Sequence, residues 1–313
     1  MWSRRGILAA GGALALAGCS EKVTKAFGFA QRLAEIKSRH GGRVGLNALT
    51  GHGTEDGQFS IDSEERFAHC STFKWVLAAA VLQGVDQGKF KLDQKIAYGK
   101  TDLLDYAPVT TKHVAEGKMS LGDLCAAMVE VSDNTAANLV LPLVGGPAGL
   151  TDFVRGLGDP ITRFDRNEPS LNSNVDGDPR DTTTPATMSA LLREVYTGTV
   201  LKTDSLEQLK AWMIACTTGD KRIRAGVPAG WIVADKTGTG ENGAANDVAV
   251  LWPPNSAAQP KPPIFLSIYT SGGKLDADGR NQVIADITKL VFDTLGFIET
   301  LDDDKSNSWS SSS

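Results

Sequence analysis

Ser71-Thr72-Phe73-Lys74 runs directly into Trp75-Val76-Leu77-Ala78-Ala79-Ala80-Val81-Leu82. An apolar run with no polar face reads as a helix enclosed by core, here over 72–84. A serine and a lysine three residues apart lie on one helical face, one turn from each other. The amine then sits within reach of the hydroxyl. That is what a serine needs to become a nucleophile without a histidine. The tetrapeptide alone carries little weight, because Ser-x-x-Lys also occurs on surface helices. Its meaning depends on what other segments bring to this helix end.

The chain has 313 residues, enough for one large or two ordinary domains and a substantial core. Hydrophobic residues make up 41% and charged residues 22%, a soluble globular composition. Net charge is −5 with no basic block, which argues against a nucleic-acid partner. Residues 1–18 read as a signal peptide. Ser3-Arg4-Arg5-Gly6-Ile7-Leu8 is a partial twin-arginine start, and the apolar run from Gly6 to Ala17 is too short to span a bilayer. Leu16-Ala17-Gly18-Cys19 is similar to the lipobox of bacterial lipoproteins, which makes Cys19 the expected lipidation site. Ser20 then resembles an outer-membrane address, and residues 19–27 read as a linker. A periplasmic, lipid-anchored monomer is expected. With Cys19 set aside, Cys70, Cys125 and Cys216 remain, an odd number without metal spacing, so at least one thiol is free. The histidines (His40, His52, His69, His113) show no ligand spacing either. No metal and no cofactor are expected.

Lys25 to Arg39 reads as an amphipathic helix stopped by Gly41-Gly42. Strands are predicted at Arg43–Leu49 and Gln58–Ile61. Helices follow at 72–84, 120–130, 133–143, 147–156, 185–196 and 205–216, the 185 helix with Thr184 as cap and proline at its first position. Strands return at Gly230–Asp235, Ala244–Trp252 and Pro263–Tyr269, before a last helix over Asp278–Leu295. The fold class is α/β (α+β). It has a five-stranded antiparallel sheet flanked by N- and C-terminal helices, an inserted all-helical domain, and the active site in the cleft between them. Residues 28–66 and 217–298 form the α/β domain and 67–216 the helical domain. Residues 299–313, acidic and then serine-rich, are expected to be a disordered tail.

Three further clusters follow the Ser71 tetrapeptide: Ser132-Asp133-Asn134, then Arg166-Asn167-Glu168-Pro169-Ser170-Leu171-Asn172 in a polar loop, then Lys236-Thr237-Gly238 at a strand end. Each alone is weak, but their order and separation behind an export signal are hard to obtain by accident. The set resembles the class A serine β-lactamases, whose signature combines these motifs. The resemblance spans about residues 28–297. Tyr106-Ala107-Pro108-Val109-Thr110, Asp181-Thr182-Thr183-Thr184-Pro185 and Pro228-Ala229-Gly230-Trp231 support it. It implies hydrolysis of the β-lactam amide of penicillins and cephalosporins and resistance to them.

The roles follow from that resemblance together with the chemistry of each group. Ser71 attacks the strained amide and forms an acyl-enzyme. Lys74, its pKa lowered by burial, or Glu168 through a water, is the acylation base. Ser132 passes a proton to the leaving nitrogen, with Lys236 beside it. Glu168 and Asn172 hold the water that removes the acyl group. Backbone N–H groups of Ser71 and Thr239 form the oxyanion hole. Asn134 meets the substrate's side-chain amide. Lys236, Thr237, Thr239 and Arg222 meet its carboxylate, Gly238 is a further substrate-binding residue, and Tyr106 forms a flanking wall. The strand arginine that many members carry is replaced here by Ala245, leaving Arg222 as the expected anchor and Arg224 as a structural residue. A family disulfide from Cys70 is impossible, because its partner position holds Gly240. Arg166 and Asp181 are expected to pair and close an Ω-type loop over 166–181. Gly238-Thr239-Gly240-Glu241-Asn242-Gly243 satisfies a dinucleotide fingerprint but precedes a strand, so it reads as a hairpin turn. The competing readings are a penicillin-binding D-Ala-D-Ala peptidase, a non-hydrolysing penicillin sensor and an inactive lipid-anchored scaffold. Glu168 with Asn172 separates the first two from the lead.

Overall fold

A computed structural model describes residues 28–50, 58–254 and 262–309. The expected signal peptide, Cys19 and the linker lie outside the described residues. Helix α1 (28–40) leads into β1 (Gly42–Thr50) and β2 (Gln58–Ile61). A short β3 (Phe67–Ala68) precedes α2 (Phe73–Asp86), then β4 (Lys95–Ala97), α3 (Thr110–His113), β5 (Lys118–Ser120), α4 (Leu121–Glu130), α5 (Asn134–Val140) and α6 (Gly146–Gly156). A loop with little regular structure reaches β6 (Thr182–Thr183), followed by α7 (Pro185–Thr197), α8 (Thr203–Ile214) and α9 (Ile223–Gly226). The chain closes with β7 (Ile232–Thr239), β8 (Ala245–Trp252), β9 (Ile264–Gly272) and α10 (Ala277–Trp309).

Strands pair in the order β2-β1-β9-β8-β7, antiparallel throughout. The two ends of the chain therefore build one sheet, as the sequence predicts. Side chains alternate between its faces. Ala249, Leu251, Leu266 and Ile268 pack with Ile36, Ile284, Ile287 and Val291 of the terminal helices. Val248, Val250, Phe265 and Tyr269 join the helical core on the other side. Both faces are covered, so β8 is buried almost throughout, and from Val248 to Trp252 it reads as a continuous apolar run and not as an alternating one. Strand β7 is left as the edge facing the helical core.

Helix α2 is the axis of that core. Phe73 through Leu82 are all buried, Lys74 among them. Burying each large aliphatic or aromatic side chain contributes about 1.5–3 kcal/mol, which offsets the cost of carrying one amine inside. Helix α7 caps from Thr184, whose hydroxyl accepts from Thr187 N, and its Ser189 donates to Asn47 O of β1 at 2.9 Å. This helix therefore lies against the sheet, although it falls within the stretch read as the helical insert.

Two expectations need correction. The predicted helix 133–143 is α only to Val140, because Pro142 lacks an amide hydrogen and the chain tightens into a 3-10 turn over Leu141–Val144. The last helix does not stop at Leu295 but continues through Trp309, so 299–309 is helical and not a disordered tail. No proline or glycine follows Gly296 to break it. No single helix among the described residues is long and apolar enough to cross a membrane.

Candidate active site

The helix end that carries Ser71 is built with unusual backbone. Cys70 has φ +47° and Ser132 φ +62°, left-handed values that cost a non-glycine residue about 1–3 kcal/mol each. Each is held by several bonds. Asn246 Nδ2 donates to Ala68 O and His69 O just before Cys70. Buried Asp133 caps α5, accepting from Ala136 N, and also accepts from Val109 N, Thr110 N and the Thr110 hydroxyl. Gly238 lets β7 come alongside. A Cβ there would stand 2.7 Å from His69 O and 3.1 Å from Cys70 Cβ.

One hydrogen-bonded network joins four distant segments. Ser71 Oγ donates to Glu168 Oε1 at 2.9 Å, and Lys74 Nζ lies 2.9 Å from the same oxygen. Lys74 also donates to Ser132 O (2.9 Å), Ser132 Oγ (3.3 Å) and Asn134 Oδ1 (2.5 Å). Lys236 Nζ reaches Ser132 Oγ at 3.1 Å from the opposite side and donates to Thr237 O at 2.9 Å. The Ser132 hydroxyl thus sits between two buried amines. Burial pushes both amines below the ordinary lysine range; for Lys74 the Glu168 carboxylate opposes that shift, and Lys236 falls to about 8.

Glu168 is fixed from every side. Asn172 Nδ2 donates to its Oε2 at 2.6 Å, so these two side chains meet directly. Asn138 brackets its backbone, accepting from Glu168 N at 3.0 Å and donating to Glu168 O at 2.9 Å. The loop around it is closed by Arg166 and Asp181, whose Nε and Oδ2 are 2.5 Å apart with Asp181 wholly buried. Asp181 Oδ1 accepts from Asp165 N and Arg166 N, and Asp165 Oδ2 accepts from Asp181 N. This is the partly buried, multiply bonded pair, not the weak exposed kind. Asp181→Asn keeps the shape but removes the charge under Arg166. It is expected to cost about 2 kcal/mol and lower the melting temperature, with deacylation of penicillins slowed. Unchanged turnover and thermal stability would remove the loop pair from the account.

Arg222 is buried under β7. Its Nη1 donates to Gly238 O and Asn246 O, Nη2 to Thr239 Oγ1 at 2.7 Å, and Nε to Asn281 Oδ1. Arg224 faces away and pairs with Asp235, as expected of the structural arginine. Thr237 Oγ1 bonds the Thr218 hydroxyl at 2.6 Å. Tyr106 is 52% exposed, and its carbonyl accepts from Asn134 N, tying the wall to the amide beside it. Cys70, Cys125 and Cys216 are all free thiols. Burial pushes Cys70 up to about 12, so the residue beside Ser71 is no rival nucleophile. Gly238 and Thr239 still belong to β7, paired with Asn246 and Ala245, and the β7–β8 turn runs from Gly240 to Ala244, with Gly240 N donating to Ala244 O. Among the described residues no group of three or more His, Cys, Asp or Glu could hold a metal ion.

Residues 28–295 match the model of the β-lactamase enzyme family. The chain belongs to that family, in class A. It is 39% identical over 294 residues to β-lactamase OXY-1 of Klebsiella oxytoca, covering 94% of this chain and 98% of that one. It is 43% identical over 266 residues to β-lactamase AST-1 of Nocardia asteroides, covering 85% and 83%. Among solved structures it is similar to the class A β-lactamase of the last common ancestor of Gram-negative bacteria, with TM-score 0.81, 53% identity, and 85% and 99% coverage. A β-lactamase from Xanthomonas campestris pv. campestris gives TM-score 0.79 at 45% identity, with 85% and 96% coverage. In this class A β-lactamase three supporting residues escaped the sequence reading. Asn138 lies four residues after Asn134 on α5, a helical spacing that offered a signal. Asn246 and Asn281 sit on distant elements and gave none.

Proposed function

We propose how this class A β-lactamase hydrolyses its substrates: Ser71 forms the acyl-enzyme and Glu168 directs the water that removes it. The observation that carries this reading is that one buried carboxylate oxygen, Glu168 Oε1, meets both Ser71 Oγ and Lys74 Nζ. Ser71 Oγ attacks the β-lactam carbonyl carbon, its proton passes to Glu168, and the C–N bond breaks. Ser132, between Lys74 and Lys236, gives its hydroxyl proton to the ring nitrogen and is reprotonated by Lys74, which in turn takes the proton held by Glu168 and leaves it a carboxylate again. Water then attacks the ester carbonyl as Glu168 takes its proton, and that proton passes to Ser71 Oγ as the ester C–O bond breaks. The hydroxyl's bond to Glu168 favours that carboxylate as the first acceptor. Ser71 N–H and Thr239 N–H serve the oxyanion. Asn134 takes the substrate's side-chain amide, Tyr106 forms the wall, and Lys236, Thr237, Thr239 and Arg222 take its carboxylate.

A nitrocefin assay tests the reading: rapid catalytic colour change in the wild type, lost in Ser71→Ala. Acylation without turnover would instead favour the peptidase or the sensor. Arg222→Ala is expected to raise KM for benzylpenicillin about tenfold, the loss of one charge-assisted contact. An unaltered kcat/KM would move the anchor elsewhere. Lys236 holds a carboxylate only while it is an ammonium. With its pKa near 8, kcat/KM should fall as pH rises through that value. Lys236→Arg, whose guanidinium stays charged, should shift that alkaline limb upward. A limb unmoved by the substitution would assign it to another group.

The twin-arginine-like start and the Leu16-Ala17-Gly18-Cys19 lipobox support a periplasmic monomer anchored through lipid on Cys19. Residues 28–66 with 217–298 would form one lobe and 67–216 the other.

A further inference from the structure

Behind the loop that carries Glu168, away from the catalytic cleft, lies a cavity of about 400 Å³. Four arginines line it: Arg43 and Arg66 from the body, Arg166 and Arg180 from the loop. A second cavity of about 430 Å³ shares Arg66 and adds Arg155 and Arg163. No lysine lines either one. Carboxylates line them too, Glu65, Asp176 and Asp178 in the first and Asp152 and Asp165 in the second, so an oxyanion would be held by those of the six guanidinium forks whose donors remain free.

Several of these cations are already neutralised. Arg180 pairs with Asp178, Arg163 with Asp165, and Arg166 with Asp181. Arg43 meets Glu65 at 3.2 Å in an exposed pair of little worth, its guanidinium stacked over Phe67. Arg66 differs. Among the described residues no carboxylate lies within ion-pair distance of it. Its Nη1 alone is engaged, with Ile161 O and Thr182 Oγ1. Its Nε and Nη2, the Arg43 Nε and Nη2 and the Arg180 Nη1 make no bond among the described residues. These donors come from both walls of the first cavity.

We propose that this cavity binds a phosphate-type oxyanion, held by Arg66 and shared with Arg43 and Arg180. A tetrahedral dianion accepts from several directions at once, as these donors require. Such an anion would link the outer limb of the 166–181 loop to the body of the protein. The binding claim does not rest on the hydrolytic reading, since it is measured without turnover.

The test is amide and arginine side-chain NMR of the full-length protein, titrated with inorganic phosphate at constant ionic strength. Saturable shifts are expected at Arg66 and over 174–180. They should weaken about tenfold or more in Arg66→Ala and several-fold in Arg180→Ala. Arg180 is an exposed side chain, so the second variant keeps the test valid if the first does not fold. Phosphate held by Lys236 and Thr237 would appear separately, at Ser132 and Thr237. Shifts confined to those cleft residues, or undiminished in both variants, would overturn the proposal. Phosphatidylglycerol vesicles probe the other source of the same chemistry. Co-sedimentation that phosphate competes away and Arg66→Ala abolishes would assign the anion to a lipid headgroup. Absence of co-sedimentation beside intact phosphate shifts would assign it to a free anion.

Discussion

Glu168→Ala is expected to stop the enzyme at the acyl stage, with deacylation of benzylpenicillin slowed on the order of 10³-fold. The geometry explains why the loss is concentrated there. Glu168 is the carboxylate beside Ser71, and Asn172 and Asn138 hold its side chain and backbone in place. Attack by Ser71 retains a second basic group nearby in Lys74, so acylation should fall less. Stopped-flow traces should therefore show a burst of one equivalent followed by almost no steady state. A steady-state rate near that of the wild type would mean that another group activates the water.

Lys74→Ala is expected to have the opposite profile, a loss on the order of 10³-fold in acylation with no burst. Lys74 is the wholly buried hub between Glu168, the Ser132 carbonyl and hydroxyl, and Asn134. Removing it leaves a buried carboxylate without its cation, and breaking such a pair costs about 3–5 kcal/mol. Glu168 would stand without the cation that faces it, and Ser132 would keep only Lys236. The melting temperature should fall together with the rate. A variant that acylates normally in single-turnover experiments would remove Lys74 from the proton path.

Much of this arrangement is written locally. The apolar run from Trp75 to Leu82 announces a buried helix, and the return of strand pattern after Gly230 announces a sheet closed by both chain ends. The loop pair of Arg166 and Asp181 is legible from the opposing charges at the two loop ends. What was not legible is set by tertiary contact. Cys70 and Ser132 adopt left-handed backbone only because Asn246, the Asp133 cap and the two lysines hold their surroundings, and nothing in their residue types signals it. Asn281 supports Arg222 across a separation of 59 residues in sequence. The 3-10 turn at Leu141 follows from Pro142, whose surrounding apolar residues otherwise continue the helical pattern of α5. The continuation of α10 to Trp309 was hidden by an acidic, serine-rich composition that suits a solvated segment as well as a tail.

The central claim is that Ser71 carries the acyl group and Glu168 releases it. Mass spectrometry of peptides from benzylpenicillin-treated wild type and Glu168→Ala tests it most directly. The account predicts that the mutant retains an adduct of one intact penicillin on the peptide containing Ser71, while quenched wild type shows little. An unmodified Ser71 peptide in the mutant, or an adduct on any other residue, would contradict it.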